Sequence, residues 1–393
     1  MTSASTSTAL QSGPSLASPT IASSRTYNVT ATGTLGQYIP AVPFSSFVGK
    51  STGAASAILS LQQIAESAAY RTNLGLVEAS GEPAELMIRV YNASSDLVAE
   101  IPESLRAAEH KQLNSILARN GITLADGRFE VEVTSATGKI TAYASRIDNV
   151  SGDPLLVSPV LKSSARGTRY VLPGIAYTDG LARWRSDVRI YNSGAGATQA
   201  TVTYYPQGNP AASMSKQVSV AAGEVMALDN ILNTFFGITE PNAGGSVLVS
   251  TTETSSLITT ARTYAQTDAG TYGLSLDGIR PDQAVGLSER SLHLLQLEQS
   301  TEFRTNIGIV ETSGNPVTAE VTLILPDSKV TPKVPITLAG NGFLQFPLSA
   351  FNVGDAVYNA RIAIKVISGT GRISAYGSVV DNRTQDPTYV PAQ

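Results

Sequence analysis

The chain has 393 residues, no cysteine, two histidines and a formal net charge of −4. Disulfides, thiolate metal sites and cysteine nucleophiles are thereby excluded, and no basic stripe offers an electrostatic footprint to nucleic acid. Charged residues make up 15% and hydrophobic residues 42%, against roughly 25% charged in typical soluble proteins, so small and β-branched residues dominate, a composition suited to half-buried strands with no apolar run long enough for a membrane span.

Residues 1–24 are rich in Ser, Thr and Ala without apolar period and read as a disordered tail; they lack the cationic start and apolar core of a signal peptide. Residues 25–47 read as the orphan closing strand of a partial repeat. Arg25-Thr26-Tyr27 through Gly33-Thr34-Leu35-Gly36 matches Arg262-Thr263-Tyr264 through Gly270-Thr271-Tyr272-Gly273, and Tyr38-Ile39-Pro40-Ala41 matches Tyr389-Val390-Pro391-Ala392 near the chain's end.

Three fuller copies follow. Each opens on an aromatic, an Arg, a Ser or Thr and an Asn or Asp before alternating apolar positions. The signatures are Tyr70-Arg71-Thr72-Asn73, Trp184-Arg185-Ser186-Asp187 and Phe303-Arg304-Thr305-Asn306. They recur 114 residues apart (70 to 184) and then 119 apart (184 to 303), close to the roughly 100 residues of a sandwich domain. A Gly/Ser-rich turn and an alternating strand come next: Glu85–Tyr91, Ala200–Tyr205 and Ala319–Leu325. Period-two alternation means one buried and one wet face. Short apolar elements at 113–117, 228–232 and 346–351 predict helical plugs, the first extending backward over helix formers from Pro102 to Arg119. Each copy is expected to close on a hairpin: Arg128–Val133 with Ile140–Ser145, Ser246–Val249 with Leu257–Ala261, and Arg361–Val366 with Ile373–Ser378.

The predicted fold is all-β, three tandem immunoglobulin-like β-sandwich repeats in a row with short helical plugs. The expected boundaries are 48–160, 161–276 and 277–393. The signatures and the closing Tyr-Val-Pro-Ala strand resemble tandem immunoglobulin-like modules of large secreted bacterial surface proteins. Phe303–Val310 and Asp386–Ala392 carry the match best, and it covers nearly everything after residue 24. The resemblance implies a spacer or surface-attachment role and no catalytic residue to carry over. The middle copy departs most, with Gly273-Leu274-Ser275-Leu276 where Tyr-Val-Pro would stand.

Candidate chemistry is sparse. His110 lies in a charged run and His293 in an alternating strand opposite Ser60 of the first repeat, and no Gly-x-Ser-x-Gly elbow accompanies them. Glu78 and Glu311 end their signature strands, where the middle copy has Asn192, and read as surface scaffold rather than a glycosidase pair. The loops Asp148-Asn149…Asp153 and Asp381-Asn382…Asp386 hold oxygen ligands enough for Ca²⁺, weighed against Asx turns that bond their own backbone; the turn reading is preferred, with no metal or cofactor. Arg71, Arg185 and Arg304 read as structural, each pairing with a loop of its own repeat, and Tyr70, Trp184 and Phe303 as core aromatics, with Asn73, Asp187 and Asn306 part of the same structural signature. The expected function is non-enzymatic and extracellular or cell-surface: a stalk, surface-layer or filament subunit that self-associates head to tail by terminal strand addition. The alternative is an adhesin or carbohydrate-binding module that takes a surface ligand on its end loops. Neither nucleic acid nor membrane enters as a partner.

Overall fold

A computed structural model describes residues 21–31, 33–52, 57–164, 166–354 and 356–393; nearly all of the expected 1–24 tail lies outside the described residues. The protein is all-β, with antiparallel sheets packed face to face and helix confined to single turns. In the first repeat one sheet runs Leu97–Leu105, Ala84–Asn92, Leu124–Val133, Leu59–Glu66 and Val160–Leu161. The facing sheet runs His110–Leu113, Tyr70–Glu78, Ile140–Asp148 and Pro154–Val157. Alternate residues of both sheets meet between them: Leu61, Ile64, Leu74, Leu76, Ile88, Phe129 and Ile140 are buried in one cluster. Burying such a side chain contributes about 1.5–3 kcal/mol, which fixes each strand's register.

The ladder around the signature strand is drawn the same way each time. Tyr70–Glu78 lies between His110–Leu113 and Ile140–Asp148. Arg183–Asn192 lies between Val225–Leu228 and Leu257–Thr267, and Phe303–Glu311 between Phe343–Pro347 and Ile373–Asp381. Tyr70, Trp184 and Phe303 stand opposite Asp148, Ala265 and Asp381. After each closing strand the chain returns to its own opening strand: Val160 pairs with Ser60, Ile279 with Val171, and Gln393 exchanges backbone hydrogen bonds with His293.

Three expectations are corrected. The closing hairpins do not form: Leu124–Val133 pairs with Leu59–Glu66 and Ala84–Asn92, whereas Ile140–Asp148 pairs in the opposite sheet. Val357–Gly369 and Ile373–Asp381 likewise lie in opposite sheets. Asn242–Ser255 and Leu257–Thr267 do not pair with each other either, although one eight-stranded sheet, joined where Gly167–Asp179 meets Arg183–Asn192, contains both. Each of these strands is flanked on both sides by other strands, which rules out the hairpin, and in the first and third copies the connection crosses from one sheet to the other. The backward helix is also absent, because Leu97–Leu105 adds to Ala84–Asn92 as a sheet edge, a position that tolerates Pro102 and overrides local helix propensity. Finally, the repeats do not stand in a row. The closing strands Pro154–Val157, Gly270–Asp277 and Pro387–Pro391 meet at one hub with the strand Gly33–Pro40.

The signature residues brace the scaffold. Each opening strand bulges, with Gln63, Gly174 and Gln296 at positive φ. The buried hydroxyls of Thr72 and Thr305 accept the N–H of Ala65 and Glu298 and donate to the carbonyls of the same residues, while the Ser186 hydroxyl accepts Ala176 N–H. Backbone groups freed by the bulges are thereby paired. The plugs are the single turns Ile116–Arg119, Ile231–Thr234 and Leu348–Phe351, which bury Ile116, Leu117, Ile231, Leu232 and Leu348. Asn73 and Asp187 accept the N–H of Ser115 and Asn230 at the entrances of the first two, both at 2.9 Å.

Glu78 and Glu311 are buried, not on the surface. Each carboxylate sews three loops together: Glu78 accepts N–H groups of Ser80, Gly81, Ala108 and Lys139, and Glu311 those of Ser313, Gly314, Asn341 and Arg372. In the middle copy the Asn192 amide bridges Gly194, Gly196 and Val220 instead. Burial pushes the Glu78 carboxyl up, but the bonds from Ser80, Ala108 and Lys139 outweigh it and hold the pKa at about 2. Glu78→Ala is therefore expected to lower unfolding free energy at neutral pH by about 2–4 kcal/mol in urea titration. Because the folded pKa is depressed, the Glu78 contribution is full above the unfolded carboxyl range and fades as pH falls from about 4.5 towards 2.

Candidate functional site

The residues with the most unusual surroundings are the aspartates of the two candidate Ca²⁺ loops. Asp148 Oδ1 accepts Val150 and Ser151 N–H at 2.8 and 3.0 Å, and Asp381 Oδ1 accepts Arg383 and Thr384 N–H at 2.8 and 3.1 Å. These are Asx turns. The second oxygen reaches another part of the molecule. Asp148 Oδ2 accepts the Thr271 N–H at 3.0 Å and its hydroxyl at 2.6 Å. Asp381 Oδ2 accepts the Thr34 N–H at 2.9 Å and its hydroxyl at 3.0 Å, across 347 positions of sequence. Five residues on, Asp153 Oδ2 accepts Gly273 N–H at 2.9 Å and Asp386 Oδ2 accepts Gly36 N–H at 3.0 Å.

The two sequence recurrences are thus halves of one device, a carboxylate clasp made twice. One half is the Asp-x₄-Asp loop of the first and third repeats. The other is a Gly-Thr-x-Gly strand, carried by the second repeat as Gly270–Gly273 and by the N-terminal segment as Gly33–Gly36. That segment is a two-stranded hairpin, Ser23–Thr30 with Gly33–Pro40, and not the single orphan strand expected over residues 25–47. The leading glycines are required by space and conformation together. Gly33 has φ +143° and a Cβ there would sit 2.9 Å from both Asp381 carboxylate oxygens; Gly270 has φ +109° and a Cβ would meet Ser151 N at 2.9 Å.

Cationic and aromatic groups seal both copies. Arg262 donates to Tyr70 OH and Thr271 Oγ1 and lies 5.2 Å from the Tyr70 ring centroid. Arg25, its counterpart, lies 5.2 Å from the ring of Phe303. Signature aromatics of the first and third repeats therefore receive an arginine from a neighbouring hairpin. Leu35 of the N-terminal hairpin packs with Ala182, Ala265 and Tyr272 of the second repeat, and Trp184 rests against this cluster.

At the hub Asp153 and Asp386 lie close enough for each carboxyl to shift the pKa of the other. Both are buried, each keeps its Oδ2 on a glycine N–H, and among the described residues their Oδ1 atoms have no hydrogen-bond partner. Burial pushes both carboxyls up; the Asp153 charge raises Asp386 further, against the pull of Arg25, and Arg262 lowers Asp153 against Asp148. Two buried carboxyls this close resist ionising together. Beside them the four closing strands enclose a cavity of about 350 Å³ lined by Tyr38, Pro154, Leu156, Asp277 and Tyr389 among others. Burial raises Asp277 to about 6.

The other candidates sit elsewhere. Arg71 donates to Asn149 at 2.6 Å, and Arg304 to Asn382 and Gln385, both at 2.8 Å, so each arginine steadies the clasp loop of its own repeat. Arg185 bonds Asp179 and the carbonyls of Thr178 and Trp184. His110 is exposed and contacts Tyr143 OH at 3.0 Å; His293 is half-buried, and burial with Arg361 and Arg290 lowers its pKa. Among the described residues no group of three His, Asp or Glu side chains is placed to hold a metal ion. Sequence reading found both recurrences but not their partnership; the equal five-residue Asp spacing and the Thr-x-Gly strands were the available signal.

These packed sandwiches joined by buried carboxylates define an all-β protein whose distinctive feature is its inter-repeat joints. The chain matches no protein-family model and no curated protein. Among solved structures, the crystal structure of the infectious bursal disease virus VP2 subviral particle aligns with 90% of this chain and 82% of that one at 11% identity. The TM-score is 0.16, too low a likeness to inform fold or function.

Two outcomes test the clasp. Asp381→Ala should speed amide hydrogen exchange at Thr34 and Gly36 while Thr271 and Gly273, held by Asp148 and Asp153, keep their protection; equal exchange in all four would contradict the assignment. The Asp153–Asp386 pair binds more protons folded than unfolded. Its contribution is full below the unfolded carboxyl range near pH 4 and is lost as pH rises through the raised folded values. Urea midpoints should fall over that rise in the native chain, and Asp386→Asn, which removes one carboxyl of the pair, should flatten the slope.

Proposed function

We propose that this chain is a non-enzymatic structural or assembly protein of the extracellular space or cell surface, a stalk, surface-layer or filament subunit. The observation that carries the reading is the N-terminal clasp. The hairpin Ser23–Pro40 is held on the third repeat by Thr34, Gly36 and Arg25 through noncovalent bonds to residues some 350 positions away. An element docked this way exchanges between identical chains at little energetic cost, since the same bonds form in either case. Seated on the third repeat of a second copy, the hairpin makes a head-to-tail contact; because donor and acceptor surfaces differ, the contact propagates unless the rotation closes a ring. Strand edge support is asymmetric in the same sense. The return strands Ile140–Asp148, Leu257–Thr267 and Ile373–Asp381 are each flanked on both sides, whereas Ser23–Thr30 pairs among the described strands only with Gly33–Pro40 and exposes Val29 at 78%.

Light-scattering mass measured across protein concentration tests the proposal. Mass should rise with concentration in the intact chain, and Asp381→Ala, or deletion of residues 1–44, should hold it at one chain while circular dichroism keeps its β signature. An intact chain that stays monomeric at high concentration would sink the assembly reading.

A further inference from the structure

Two departures from the repeat pattern meet in a single cleft between the second and third repeats. At the fourth signature position Asn73 and Asp187 cap the N–H groups of Ser115 and Asn230. In the third copy the ladder sets Asn306 opposite Pro347, so the equivalent N–H, one residue past the ladder partner, is that of Leu348, and it makes no bond to Asn306. The Asn306 amide is left without a hydrogen-bond partner among the described residues. At the first signature position Tyr70 and Phe303 are replaced by Trp184, the chain's one tryptophan. It is half-buried rather than a core aromatic. Trp184 and Asn306 both line a cleft of about 690 Å³, together with Arg304, Gln345 and Gln207.

The polar groups around them are already oriented. Arg304 is fixed by Asn382 and Gln385. Gln345 accepts from Tyr376 OH through Oε1 at 2.6 Å, which leaves its NH₂ as a donor. Gln207 donates to the Gln345 carbonyl at 3.2 Å, which leaves its Oε1 as an acceptor. The lining groups Trp184, Arg304, Asn306, Gln345 and Gln207 are an aromatic, a guanidinium and amides, and no carboxylate among the described residues joins them. A pyranose ring has the complementary chemistry: an apolar C–H face for an indole and a rim of hydroxyls that both donate and accept. Ligand pockets of about 300–1,000 Å³ combine an aromatic wall with a few fixed polar groups in this way.

We propose that this cleft binds a carbohydrate, one sugar ring against Trp184 with its hydroxyls on Asn306, Gln345 and Arg304. The absence of paired acids in the lining makes it a binding site and not a hydrolase. The site uses none of the clasp carboxylates, so it stands or falls independently of assembly.

Because Trp184 is the sole tryptophan, its fluorescence reports the cleft directly. The intact chain would be titrated with cellobiose, maltose, lactose, chitobiose, mannobiose and glucuronic acid to millimolar levels. At least one sugar should shift Trp184 emission saturably, and Asn306→Ala should weaken that sugar about tenfold, the loss of roughly one hydrogen bond, with Trp184 still in place. Calorimetry with the same sugar separates binding from movement of the Leu35 cluster beneath the indole. Trp184→Tyr, which restores the first repeat's residue, should abolish the calorimetric signal. Absence of a saturable response to every sugar, or equal affinity in Asn306→Ala, overturns the proposal.

Discussion

The structure depends on buried carboxylates that accept backbone N–H bonds from distant segments. A carboxylate removed from water is costly unless hydrogen bonds replace its hydration, and such charge-assisted bonds are short and strong. Once a carboxylate is buried, every donor aimed at it becomes obligatory. Glu78 and Glu311 use this to tie the loops at one end of their sandwiches. Asp148, Asp153, Asp381 and Asp386 use it to tie one repeat to the next. Part of the chain's sparse charge is thus placed where it specifies geometry.

The alternation of acceptor and donor halves explains the architecture. The first and third repeats carry the Asp loops, and the second repeat and the N-terminal hairpin carry the Gly-Thr-x-Gly strands. Two clasps of the same kind, meeting at the Asp153–Asp386 pair, bring four closing strands to one hub where a simple string of sandwiches would have kept them apart. Other contacts lock the arrangement. Arg128 lies 4.1 Å from the ring of Tyr91 and 4.2 Å from that of Tyr191, while Glu130 accepts from Lys162 and Tyr191, so the first and second repeats also share a buried ionic cluster. Breaking such a cluster by removing one partner leaves an uncompensated buried charge.

Much of the fold was legible in the residues. Period-two alternation located the strands, and the aromatic-Arg signature marked positions that share the same ladder neighbours. The short plugs fell where Leu117, Leu232 and Leu348 are buried. What failed were pairings. Arg128–Val133 and Ile140–Ser145 are adjacent in sequence and equally alternating, and nothing local distinguishes a hairpin from a crossing between sheets. Pro102–Arg119 carries helix propensity that a sheet edge overrides. The clasp was half-legible: the Asp loops and the Thr-x-Gly strands were each recognised as recurrent, but contacts across about 350 residues leave no trace in a local pattern. Glu78 and Glu311 misled because a carboxylate is ordinarily exposed, and only their hydrogen bonds show why these are not.

The central claim is that Asp381 and Thr34 interact directly and favourably. A double-mutant cycle with Thr34→Val and Asp381→Ala, read by urea unfolding, isolates that interaction from the general cost of each substitution. The clasp predicts that the two changes fall short of additive by about 1 kcal/mol or more, the worth of a hydroxyl bond to a charged acceptor. Additivity within about 0.3 kcal/mol would mean that the N-terminal hairpin is not held where this account places it.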